Sequence, residues 1–134
     1  MADAVASQTI LDGPNKVVMK FTNVSDGSGE SAVTKVNVSA LSKGADGATC
    51  TGVALEQIWW QCLGMKVSIL FDATSDVLAI QLGENQSGHH DYRDFGGIPN
   101  NAGSGVTGDV QFTTVGHSSA DTYTIILAMR KNYG

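Results

Sequence analysis

Apolar and polar residues alternate with a period of two along most of this chain. In GMKVSILFDA, Met65, Val67, Ile69 and Phe71 alternate with Lys66, Ser68, Leu70 and Asp72, the pattern of a strand with one buried face. In KVVMKFTN, Val17, Met19 and Phe21 share one side while Lys16, Lys20 and Thr22 share the other. DTYTIILAMRK repeats the pattern with Tyr123, Ile125, Leu127 and Met129. Similar runs span 32–38, 52–60, 76–82 and 108–115, and AVASQTIL at 4–11 adds a candidate strand. Asp-Gly, Lys-Gly and Gly-Gly signals separate the runs, and the 16 glycines suffice for turns that need positive φ. Two segments have helix-compatible content, but SALSKGADGA is broken by glycine. ALEQIWWQCL carries two tryptophans and an isoleucine that suit a strand better.

Seven to nine strands spaced roughly 10–15 residues apart, with no long helix, predict an all-β protein. The expected architecture is a single-domain β-sandwich over residues 1–134, with jelly-roll and immunoglobulin-like versions both open. Residues 1–13 are expected to form an N-terminal arm. The segment 83–108, GENQSGHHDYRDFGGIPNNAGSGVTG, reads as one long irregular loop with a short strand near 90–92. Excursions of this length in compact domains usually bind something. In the 52–60 run, alternation from Val53 and Leu55 puts Trp59 on the buried face. Trp60 then shares the opposite face with Ala54, Glu56 and Ile58.

Composition narrows the function classes. The 134 residues are 42% hydrophobic and only 16% charged, so part of the surface is suited to contact with another protein. A net charge of -5 with eight scattered basic residues excludes binding to a phosphate backbone, so no nucleic-acid partner is expected. No signal-peptide pattern and no apolar run of membrane-spanning length is present, so neither a membrane partner nor export is expected. Cys50 and Cys62 lie twelve positions apart and fit neither a zinc spacing nor a disulfide framework. They are expected as reduced thiols in or near the core.

The residues richest in chemistry are GHHDYRDFGG at 88–97. His89, His90 and Asp91 are metal-ligand types, with Asp94 and His117 as possible further donors. Adjacent strand residues point to opposite faces, however, so His89 and His90 do not converge on one ion. The chain lacks a Gly-x-Ser-x-Gly elbow, a phosphate loop and a dinucleotide fingerprint. The carboxylates Glu84, Asp91, Asp94 and Asp109 sit beside glycine-rich segments, a poor setting for paired acid and base. No catalytic residue, metal site or cofactor is therefore assigned, and no enzyme activity is expected. The candidates are instead residues of a partner interface: Ile58, Trp60, His89, His90, Asp91, Tyr92, Arg93, Phe95, Ile98, Asn100 and Asn101.

MKFTNVSDGSGE at 19–30, IWW at 58–60 and FTTVGHSSADTYTI at 112–125 together resemble small virion structural proteins of tailed bacteriophages, of the marine and cyanobacterial type. In such proteins a start like MKFTNVSDGTGE and an ending like FTTVGHTSGDTYTI recur. The resemblance implies a part of the virion made in the host cytoplasm. A β-sandwich of this size is most similar to a capsid decoration (cement) protein on the capsid surface, with the major capsid protein as partner. A homo-oligomer is expected, a trimer before a dimer. The alternatives are a tail, neck or fibre accessory or receptor-binding module, and a small carbohydrate-binding β-sandwich.

Overall fold

Each run with a period of two becomes a strand. The computed structural model describes residues 4–27, 30–44, 47–85, 87–95, 97–98, 105, 107–116 and 118–132. The strands among them are β1 (Ala4–Asp12), β2 (Lys16–Asp26), β3 (Val33–Val36), β4 (Gly52–Leu63) and β5 (Lys66–Phe71). They continue with β6 (Val77–Leu82), β7 (Ser87–Asp91), β8 (Val110–Val115) and β9 (Ser119–Asn132). Helical structure among the described residues is confined to single 3-10 turns at Val38–Ala40 and Arg93–Phe95. The strands form two antiparallel sheets, ordered β1-β2-β9-β4-β7 and β3-β8-β5-β6, an all-β sandwich.

The pairing order decides between the two topologies left open by the sequence. β5 pairs with β6, β4 with β7, β3 with β8 and β2 with β9. These pairs nest inside one another, as they do when one long antiparallel hairpin is rolled over on itself. That is the jelly roll. Lateral ladders from β4 to β9 and from β5 to β8 complete the two sheets, and β1 adds an extra strand outside β2. Residues 4–12 of the expected arm thus form a sheet edge. The 83–108 segment carries β7 near its start, slightly upstream of the short strand read at 90–92.

The inward residues of the regular strands form the core. Met65 just before β5 and Val67, Ile69 and Phe71 on it are fully buried, as are Ile125, Leu127 and Met129 on β9. Burying each such side chain contributes about 1.5–3 kcal/mol. Phe21 of β2 meets Phe112 of β8 edge-on at 5.2 Å, and Phe112 meets Tyr123 of β9 at 5.8 Å, so an aromatic row crosses between the sheets. Cys50 and Cys62 are buried and unpaired, and burial raises the Cys62 thiol to about 11.

Two buried charges tie distant segments together. Glu30 accepts hydrogen bonds from Asn23 Nδ2 (3.1 Å) and Tyr123 Oη (2.6 Å) and pairs with Lys35. Its backbone N–H donates to Thr114 Oγ1 at 2.8 Å, which locks the β2–β3 connection onto β8. Lys131, whose side chain is fully buried, bonds Asp12 and donates to the Ser42 carbonyl at 2.8 Å. Burial pushes the Asp12 carboxyl up, but Lys131 and the Ser42 N–H outweigh it and hold the carboxyl below its ordinary value.

Candidate functional site

The chemistry-bearing residues gather at the β4–β7 edge of the larger sheet, and a β-bulge in β4 determines which way they face. The register of β4 on β9 shifts between Leu55 and Gln57, so Glu56 is an extra residue and the alternation changes phase. Val53 and Leu55 point inward, and beyond the bulge Ile58, Trp60 and Cys62 do so. The expected assignment of the tryptophans is therefore reversed. Ile58 is fully buried, Trp60 packs against the core, and Trp59 is exposed at 37%. Ile58 is accordingly a core residue and no part of a surface contact.

β7 lies beside this stretch with Trp59 opposite His89, Trp60 opposite Gly88 and Ile58 opposite His90. The two histidines take opposite faces of the strand. On the outer face His89 stacks on Trp59 with centroids 4.6 Å apart and planes 10° apart. On the inner face His90 lies 4.7 Å from Trp60 and 5.8 Å from Tyr92. Gly88 leaves room for the Trp60 indole, since a Cβ there would stand 3.3 Å from the ring. The indole Nε1 of Trp60 is shielded from solvent and has no hydrogen-bond partner among the described residues.

Asp91 and Arg93 close the end of β7. Arg93 Nη2 donates to Asp91 Oδ2 at 2.7 Å and Nε to Oδ1 at 2.9 Å, while the Arg93 backbone N–H reaches Oδ1 at 3.0 Å. These bonds hold the Asp91 carboxyl down at about 2. Gln57, nearly buried on the outer face, sits between His89 and Arg93. With its oxygen toward Arg93 Nε (2.9 Å) and its amide nitrogen toward His89 Nε2 (3.2 Å), both ends of the amide are satisfied. The chain then returns along β4. Tyr92 N–H donates to the Glu56 carbonyl at 2.7 Å, and Leu55 and Ile98 exchange backbone bonds of 3.0 and 2.8 Å. Gly97 makes that return possible: its φ is +91°, and a Cβ there would lie 2.9 Å from the Leu55 carbonyl oxygen.

Of the interface candidates, His89, His90, Asp91 and Arg93 are exposed, while Tyr92 and Ile98 are half-buried against the core. Phe95 has its backbone in the 3-10 turn at Arg93–Phe95. Asn100, Asn101 and the possible metal donor His117 lie outside the described residues. No three His, Cys, Asp or Glu side chains among the described residues are placed to share a metal ion.

Two exposed residues carry no signal in the sequence pattern, Val24 and Leu63, and they join Trp59, which alternation places on the buried face. Val24, Trp59 and Leu63 are 52%, 37% and 49% exposed, and all face outward from the five-stranded sheet. Cross-strand register places Val24 beside Thr122 and Thr122 beside Leu63, then Thr22, Thr124 and Gln61 in the next row. These two rows are uncharged. A groove of about 190 Å³ runs beside Trp59, lined by Trp60, Gln61, Gly88, Thr124 and Ile126.

No protein-family model matches the sequence, and no curated protein matches it. Several solved structures are similar over nearly the whole chain. A cupin domain from Bordetella pertussis shares 8% identity at a TM-score of 0.37, covering 98% of this chain and 97% of that one. A mutant of the family 29 carbohydrate-binding module CBM29-2 shares 6% identity at 0.43, covering 95% and 91%. A chain of the cyanophage Pam1 capsid asymmetric unit shares 13% identity at 0.36, covering 97% and 86%. At such scores these likenesses assign the chain neither a fold family nor a function.

Proposed function

We propose that this chain is a structural virion protein that docks on the assembled phage head as a decoration protein, with the major capsid protein as its partner. The observation that carries the reading is the outer face of the five-stranded sheet, which exposes Leu63 and Val24 on an uncharged row and Trp59 nearby on a row that includes Lys20. A flat face of this kind suits contact with a second ordered surface, with Trp59 as its anchor. The charged and aromatic residues His89, Asp91 and Arg93 flank it as a polar rim. The sequence resemblance at 19–30 and 112–125 supports the virion setting. Contacts of modest strength repeated over a lattice of identical sites clamp a shell through multivalency.

Co-sedimentation of the purified protein with expanded heads tests this. The expected result is a fixed ratio to the major capsid protein, a higher head melting temperature, and loss of both on Trp59→Ala or Leu63→Lys. Absence of binding sinks the proposal. Localisation to the tail tip or neck by electron cryo-microscopy replaces it with an accessory role there.

The groove beside Trp59 favours a second reading, a carbohydrate-binding module. An indole wall with the Thr124 hydroxyl and the Gln61 amide is suited to a sugar ring. Retention on a glycan array that Trp59→Ala abolishes is its test, and an array with no retained glycan removes it.

A further inference from the structure

The larger sheet ends in β1. An edge strand presents a row of unpaired N–H and C=O groups, which proteins blunt with short length, charge, proline or a covering segment. β1 is nine residues long, about 30 Å at the usual rise, against four in β3, six in β6 and five in β7. From Ala4 to Leu11 it carries neither a charge nor a proline. Residues 5–11 are exposed whichever face they occupy. The facing sheet ends at the short β3, leaving an open groove of about 240 Å³ between Val5–Ser7 and Val33–Lys35. Val5, Ile10 and Leu11 are each about half exposed, at 49%, 53% and 50%.

The chemistry of the strand indicates what covers it. Around Ser7 the strand is uncharged, with small Ala6 and Gln8 one position out and β-branched Val5 and Thr9 two positions out. We propose that β1 is a self-association edge, pairing antiparallel with β1 of a second copy across a two-fold axis at Ser7. Opposed residues of an antiparallel pair share a face, and this register sets Ser7 against Ser7 and Val5 against Thr9. β-Branched pairs then meet on one face with no like charges opposed. The register of β1 on β2 shifts between Thr9 and Leu11. The bulge at Ile10 therefore ends the ladder and confines it to the regular part of the strand. An isologous contact closes on itself, so the product is a dimer rather than a filament. Between the trimer and the dimer expected from the sequence, this edge selects the dimer. The inference stands independently of the virion reading.

Sedimentation velocity from about 10 μM to about 1 mM spans the affinities expected of so small an interface. The wild-type chain is expected to pass from monomer to dimer over that range. V5K/T9K, which opposes lysine to lysine twice, is expected to stay monomeric. V5K/T9E opposes lysine to glutamate twice and is expected to restore the dimer. All three should share one melting temperature within a few degrees, because both positions are exposed. Independently of the lysine variants, Ser7→Cys is expected to form a disulfide-linked dimer under mild oxidation while Ala6→Cys does not, since Ser7 alone faces itself. A wild-type chain still monomeric at the highest concentration overturns the proposal. So does a V5K/T9K dimer as tight as wild type, a V5K/T9E chain that stays monomeric, or equal cross-linking at positions 6 and 7.

Discussion

β1 and β7 close the same five-stranded sheet on opposite sides, β1 beyond β2 and β7 beyond β4. β7 is five residues long, carries His89 stacked on Trp59 and His90 tilted against Trp60, and ends in the Asp91–Arg93 clasp. β1 is nearly twice as long, bare on both faces, and anchored at its far end by Asp12 to the buried Lys131. The difference teaches where each edge gets its order. β7 is held by side-chain stacking and a local ion pair, so its own sequence keeps other strands away. β1 is held by its backbone ladder to β2 and one buried charge, which leaves its outer hydrogen bonds for a second chain.

The contrast breaks most severely at the β1 anchor. Asp12→Ala leaves the fully buried Lys131 ammonium without its carboxylate and is expected to cost about 3 kcal/mol, read as a lower urea midpoint. On the other side, Gly97→Ala forces a Cβ against the Leu55 carbonyl at positive φ. A loss of about 2 kcal/mol is expected, with faster amide exchange at Tyr92 and Ile98 as its local signature. Trp59→Ala removes the ring on which His89 stacks and is expected to cost about 1 kcal/mol. Exchange should quicken along β7 and leave β1 unchanged.

The smallest effect is a pH dependence confined to β7. The Asp91 carboxyl is depressed to about 2, so its clasp with Arg93 stabilises the strand end fully above the ordinary carboxylate value of 3.8. That contribution fades as pH falls through about 2. Protection of the 88–91 amides, taken relative to the intrinsic exchange rate at each pH, is expected to fall from pH 4 toward pH 2 in the wild-type chain. In an Asp91→Asn chain the fall should be absent. An unchanged pH profile in that variant removes the clasp as the cause.

The sequence made the regular strands legible because their pattern is their burial. Met65 through Phe71 and Tyr123 through Met129 point inward as their alternation says. Trp59 and Trp60 were misread because alternation holds only while the ladder is unbroken, and the bulge at Glu56 leaves no mark in composition. Ile58 fell with them. β7 lacked a periodic signal because all five of its residues are exposed, so its polarity is the same on both faces. The buried charges were invisible for another reason. Asp12 and Lys131 lie 119 positions apart, and Glu30 and Tyr123 lie 93 apart, so only the assembled topology brings each pair together.

The nested pairing also sets an order of events for the growing chain. β9, made after the other eight strands, sits in the middle of the larger sheet between β2 and β4. Until it arrives, those two strands have no common neighbour and the sheet exists as separate ribbons. Pairs such as Lys16 with Arg130 join residues far apart along the chain, a topology that folds in milliseconds to seconds rather than microseconds. On a ribosome adding about 5–20 residues each second, β2 and β4 wait exposed for several seconds. A cell making many copies at once therefore handles a crowd of half-built sheets, each open at its centre.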